Sequence, residues 1–319
     1  MSLHVIVGAG PVGSATARLL AARGEQVRLI TRSGRTPLPS PAGPGDEARE
    51  IECVAADAGD AEGLARLTDG AVTIYSCAGP AYHRWTTDWP PLGAALIRAA
   101  ESSGAVLVTT GNLYGYGQVD GPITEDTPLR PNSVKGQIRA KLWTDALAAH
   151  EAGRIRTAEV RGSDYLGAGA VSPFSVLVLP KVLAGKRGSA PADLDAPHSW
   201  TYVGDVAGTL VAAASDETAW GRAWHVPTPE PMSIRALAAR TAELAGAPAA
   251  RITTMPTIAL RLAGLFNPAA REMVETQYQW RRPFVVDSSA TTVAFGIKPT
   301  ATDDALRETV DAFRAAVPN

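Results

Sequence analysis

The chain has 319 residues, a formal net charge of −2, 45% hydrophobic residues and 19% charged ones. That length suits one large domain or a core domain with an appendage, and that balance excludes extensive disorder. The weak acidity offers neither a basic field for nucleic acid nor a polybasic patch for a membrane, so the expected partner is a small-molecule substrate of a monomer or homodimer.

Two cysteines, Cys53 and Cys77, cannot build a disulfide framework and fit a reducing cytoplasm. The opening "MSLHVIVGAG" enters an apolar strand at once, leaving no room for a charged leader and cleavage site. No apolar run approaches the roughly 20 residues of a spanning helix. Arginine outnumbers lysine 25 to 5, a skew that hints at a GC-rich bacterial genome and makes each lysine worth asking about.

In chain order, "LHVIV" (3–7) is a buried-type strand that ends at "GAGPVG", and "SATARLLAARG" (14–24) follows with helical spacing. "QVRLIT" (26–31), "IECVAA" (51–56), "AVTIYSCA" (71–78), "AVLVTT" (105–110) and "RTAEVRG" (156–162) continue the strands, each separated by a helical stretch. The Pro- and Gly-rich "SGRTPLPSPAGPGDEARE" (33–50) predicts a surface loop beside the site. Alternation of strand and helix predicts an α/β fold, a Rossmann-type doubly wound parallel sheet that binds ligands at the carboxyl ends of its strands. This domain spans 1–162, with parts of 200–222 and 285–300. Segments 163–200 and 222–319 are expected to form a smaller, mainly helical substrate-binding region. Its predicted helices are "SPFSVLVLPKVLAG" and "MSIRALAARTAELAG", and "REMVETQYQWRRPFVVDSS" should give a helix and then a strand.

Gly8, Gly10 and Gly13, with Pro11 and Val12 between them, follow the first strand and open a helix. In that context the first glycine makes the turn, the second lets the backbone approach a pyrophosphate, and the third lets helix and strand pack closely. The second strand ends at Thr31, Arg32 and Ser33, with Arg35 close by, where an NAD binder would place a carboxylate for the ribose 2′-hydroxyl. A guanidinium with hydroxyls suits a 2′-phosphate, so NADP is the expected cofactor and NAD the lesser one. The histidines show no metal-ligand spacing, and no metal is expected.

Together the glycine motif, "VAADAGD", "SCAGP", "TTGNLYGYG", "AEVRGSDYLG" and "TYVGDVAGTLVAA" resemble the short-chain dehydrogenase/reductase superfamily, in its extended and atypical branch, the NAD-dependent epimerase/dehydratase family. The resemblance runs over nearly the whole chain. It implies a cytoplasmic nucleotide-dependent oxidoreductase or epimerase. It sets Asp57 toward the adenine, Cys77, Ala78 and Gly79 along the adenosine side, and Thr109 beside an active-site Thr110. The family's Tyr-x-x-x-Lys pair falls on Lys135 and Arg139, with the intervening glycine kept as Gly136.

Residues four apart share a helix face, so Lys135 and Arg139 can point the same way. Arg139 is expected to take the ribose and electrostatic roles. Beside this second cation, Lys135 would supply a proton to a carbonyl that receives hydride, or stabilise an enolate. The plainer alternative makes both of them solvated cations on an amphipathic helix whose Ile138, Leu142 and Ala146 face inward. Tyr114 or Tyr116 offers a relocated phenol. The expected substrate is a ketone, enone or polyketide-like small molecule. The other readings are a non-catalytic NADP-binding sensor or scaffold, and a redox-neutral isomerase or cyclase.

Overall fold

The computed structural model describes residues 2–35 and 51–316, so most of the expected 33–50 loop lies outside the described residues. In chain order the first elements are β1 (Leu3–Val7), α1 (Pro11–Ala22), β2 (Gln26–Thr31), β3 (Ile51–Ala55), α2 (Ala61–Leu67) and β4 (Ala71–Ser76). Then come α3 (Trp85–Ser103), β5 (Val106–Asn112), α4 (Val134–Glu151), β6 (Arg156–Gly162), β7 (Asp164–Leu166), α5 (Leu179–Leu183), β8 (Arg187–Ala190) and β9 (Trp200–Tyr202). The chain closes with α6 (Val203–Ser215), β10 (Ala223–His225), α7 (Ile234–Leu244), β11 (Arg251–Thr254), α8 (Thr257–Ala263), α9 (Pro268–Met273), α10 (Tyr278–Arg281), α11 (Ser289–Phe295) and α12 (Thr302–Ala316). Among the described residues no helix is long and apolar enough to cross a membrane.

Two compact units of similar size form from these elements. The first comprises residues 1–112, 138–161 and 206–224, and the second comprises 113–137, 162–205 and 225–319. At the centre of the first lies a seven-stranded sheet in the order β10-β6-β5-β4-β1-β2-β3, with parallel ladders joining β1 to β2 and β4, β2 to β3, and β4 to β5. Val5, Ile6, Leu29, Ile30, Ile74 and Val108 on these strands are fully buried, as strands covered by helices on both faces require. The chain leaves β1 toward β2 on one side and returns through β4 on the other. Such a switch of direction opens a crevice at the strands' carboxyl ends, where the glycine turn sits.

The second unit combines helices with two small parallel sheets, β7–β9 and β8–β11, around a core of Phe174, Val178, Leu179, Trp200, Leu237 and Leu306. Two of its elements differ from the sequence expectation. Residues 174–178 form a π-helical turn before α5. Pro180 lacks the N–H that a continuous α-helix would need there, so the hydrogen-bond register widens ahead of it. The strand expected near 284 is instead two isolated bridges, His198↔Phe284 and Ile123↔Val286. Phe284 and Val286 are both buried but meet different neighbours, so no continuous ladder forms.

Candidate functional site

Gly8 has φ +105°, and a Cβ there would lie 2.6 Å from the Ala78 backbone. Cys77 and Ala78 therefore press directly on the turn, tied to β1 by the bond from Cys77 N to Val7 O at 2.9 Å. A Cβ on Gly13 would reach 1.9 Å from the Gly8 carbonyl, which makes glycine obligatory for packing α1 onto its own turn. Gly10 is different: a Cβ there meets nothing within 4 Å. Gly10 caps α1 without a side-chain hydrogen bond, and Pro11 opens the helix, so its first amides receive no capping side chain. An open approach over an uncapped helix N-terminus fits a dinucleotide pyrophosphate.

The other predicted cofactor residues lie in the same unit as this turn. Arg32, Ser33 and Arg35 are exposed at the end of β2, Thr31 Oγ1 donates to the Arg35 carbonyl at 3.3 Å, and no carboxylate occupies residues 31–35. Asp57 Oδ1 accepts from Gly59 N at 2.9 Å, which fixes its carboxylate in a tight turn after β3. Burial pushes the Cys77 thiol up to about 11, opposed by hydrogen bonds from the Thr110 and Thr16 hydroxyls. Gly79 is open on its Cβ side, as Gly10 is.

Thr110 Oγ1 donates to Cys77 Sγ at 3.5 Å, and the Thr110 carbonyl accepts from Arg139 Nη2. The Arg139 guanidinium also lies over the buried Trp89 ring, 4.8 Å from its centroid. Thr109, Thr110, Ser76, Trp89, Arg139 and Glu159 give the polar part of a cavity in the first unit. Glu159 is itself buried and accepts from Arg161 Nε at 2.9 Å. Trp85 and Trp89 are buried parts of α3.

The face that α4 buries carries Lys135 and Arg139. Lys135, Arg139, Trp143, Ala146 and Ala149 are buried, while Ile138 and Leu142 are only half-buried. The predicted cations thus lie on the inward face. In the second unit, Lys135 is 2% exposed and its Nζ donates to Glu275 Oε1 at 2.6 Å and to Glu272 Oε2. Glu275 Oε2 accepts from Val134 N at 2.8 Å, so one carboxylate holds both the first amide of α4 and its lysine. From within, Ser133 caps the helix, its Oγ accepting from Gly136 N at 3.0 Å. Gly136 is required for close approach, because a Cβ there would lie 2.5 Å from the Tyr114 carbonyl.

Sequence reasoning did not single out Glu272 or Glu275. Their only signal is a spacing of three residues, which gives one helix face but names no partner. The Lys135 bond holds the Glu272 carboxyl below its usual range, against the opposing effect of burial. Of the two phenols, Tyr114 is half-buried, and Tyr116 is buried with its hydroxyl 2.8 Å from His225 Nε2. Arg281 donates to Thr257 Oγ1, and Arg282 lies 3.9 Å from Asp120. Among the described residues no group of three or more His, Cys, Asp or Glu gathers as for a metal ion.

The family model described as the NAD dependent epimerase/dehydratase family matches residues 4–226. No curated protein matches the sequence. Solved structures share the fold. MoeE5 in complex with UDP-glucuronic acid and NAD is 20% identical with a TM-score of 0.79, over 98% of this chain and 99% of that one. UDP-glucose 4-epimerase from Bifidobacterium longum, in complex with NAD+ and UDP, is 16% identical with a TM-score of 0.76, over 99% of each chain. DesIV, a dTDP-glucose 4,6-dehydratase from Streptomyces venezuelae with NAD and TYD bound, is 19% identical with a TM-score of 0.75, over 98% of this chain and 97% of that one.

Proposed function

This chain belongs to the NAD-dependent epimerase/dehydratase family of enzymes, which use a nicotinamide dinucleotide, and we propose that it is an NADP-dependent oxidoreductase or epimerase-like enzyme acting on a ketone, an enone or a polyketide-like small molecule. The observation that carries the cofactor reading is the open space at Gly10 beside the uncapped start of α1, next to a strand end that bears Arg32 and no carboxylate. Arg32 with the hydroxyls of Thr31 and Ser33 supplies donors suited to a 2′-phosphate dianion. Mass spectrometry of the dinucleotide released from the purified protein tests this: NADP is expected, and NAD alone contradicts it.

A bound nicotinamide dinucleotide supplies hydride chemistry. The chain's own residues have the remaining tasks. Thr110 donates a hydrogen bond to the reacting oxygen, and Arg139, which cannot titrate, serves as a fixed charge. Lys135, at the position of the family's tyrosine, donates the proton from its ammonium to the carbonyl oxygen. Arg281 donates to Thr257 Oγ1 and Arg282 lies 3.9 Å from Asp120, so these two adjacent arginines do not converge on one anion, which supports an uncharged carbonyl substrate. The second reading, a dinucleotide-binding protein without hydride transfer, is favoured by the engagement of Lys135 with two carboxylates. A panel of ketones and enones, followed by NADPH absorbance and by NMR for isomerisation, separates the two readings.

A further inference from the structure

The reading of Lys135 as proton donor leaves a question of how a lysine stays charged at 2% exposure. An isolated ammonium removed from water is costly and sheds its proton unless it is paired and hydrogen-bonded. Here the partners are Glu272 and Glu275, whose side chains are 23% and 26% exposed. Both come from α9 and the turn just after it, the lysine from the first turn of α4, and all three lie in the second unit. Glu275 spends its second oxygen on Val134 N, which sets its carboxylate against the backbone of that turn. Among the described residues, Arg271 also lies 3.6 Å from Glu272.

We propose that Glu272 and Glu275 are positioning residues that fix the direction of the Lys135 side chain. The inference rests on the donor role given to Lys135 above. Two carboxylates, charge-assisted partners of one Nζ, hold that nitrogen in one direction. In the donation step an Nζ–H bond breaks, its electron pair stays on nitrogen, and the proton forms an O–H bond on the substrate oxygen. The amine then regains a proton from solvent, and the carboxylates favour that return.

The test uses the full chain with lysine-selective 15N labelling, in which five lysines give few enough Nζ signals to resolve. One Nζ signal should persist through slow exchange with water at neutral pH and vanish in Lys135→Met. In Glu272→Gln and in Glu275→Gln its exchange should quicken at least about tenfold, the effect of losing a charge-assisted hydrogen bond. The kcat for carbonyl reduction should fall about tenfold in each variant with the KM for NADPH unchanged, and Asp at either position should restore part of the loss. Where a Gln variant does not fold, the Asp variant alone carries the comparison, with a smaller effect in the same direction. Absence of a protected Lys135 signal, or protection unchanged in both Gln variants, overturns the pairing. Protection lost without a fall in kcat overturns the positioning role. A protected signal in a protein inactive on every carbonyl retires the donor reading and leaves the pairing standing.

Discussion

Lys135 Nζ and Glu275 Oε1 lie 2.6 Å apart, with the lysine almost wholly out of water and the carboxylate about a quarter exposed. This asymmetry decides which partner is costly to remove. Replacing both carboxylates (Glu272→Gln with Glu275→Gln) strands a buried cation, and urea unfolding should show a loss of about 3–5 kcal/mol. Lys135→Met leaves the carboxylates in reach of water and should cost distinctly less. Equal losses would mean that the pairing contributes nothing special.

The same pair sets a pH dependence with a definite sign. The Glu272 carboxyl titrates below its usual 4.5 in the folded chain, chiefly through its Lys135 bond. Its contribution to stability is therefore full above the unfolded value and is lost as pH falls through the lower folded value. Wild type should lose stability between neutral pH and pH 3 more steeply than Lys135→Met. Parallel acid curves for the two proteins, followed by circular dichroism, would remove this linkage.

Cofactor choice turns on Arg32, exposed at the end of β2 where no carboxylate stands between residues 31 and 35. NADPH should bind at least tenfold more tightly than NADH, about 1.4 kcal/mol. Arg32→Ala should erase most of that preference. Calorimetry that finds equal affinities in the wild type contradicts the assignment.

The glycine turn yields a contrast between two substitutions. Gly10 has open space on its Cβ side and φ −68°, so Gly10→Val should leave the apo spectrum unchanged while abolishing dinucleotide binding. Gly13→Val would drive a side chain into the Gly8 carbonyl, 1.9 Å from the Cβ position, and should damage the fold itself. Retained binding in folded Gly10→Val would show that the nucleotide lies elsewhere.

How much of this was legible in the sequence follows from the range of each interaction. Runs such as "LHVIV" and "QVRLIT" declare strands locally, and both appear at the expected residues, Leu3–Val7 and Gln26–Thr31. The glycine turn is equally local, since Gly8, Gly10 and Gly13 answer to contacts within the turn and the neighbouring β4 end. What failed was local reasoning about long-range partners. Lys135 and Glu275 are 140 residues apart, and no periodicity links them. That 135 and 139 share a face follows from their spacing of four, but the groups that make their burial tolerable, Glu272, Glu275, the Thr110 carbonyl and the Trp89 ring, lie far along the chain. Phe284 and Val286 kept the alternation of a strand, but their partners lie in separate segments.

Arg139 is held by the Thr110 carbonyl and the Trp89 ring, so its loss should loosen the end of β5 as well as remove a charge. Arg139→Met should weaken dinucleotide binding and turnover together. Turnover lost with affinity intact would assign Arg139 to the chemical step alone.

Lys135 as the replacement for the family's tyrosine is the central claim, and single-turnover kinetics of NADPH oxidation on a carbonyl drawn from the substrate panel test it most directly. Lys135→Met should lower the rate by about 10² to 10⁴, the usual worth of a positioned acid, while NADPH affinity changes little. Full activity in Lys135→Met together with its loss in Tyr114→Phe or Tyr116→Phe would contradict the claim and make a phenol of the 114–116 turn the acid.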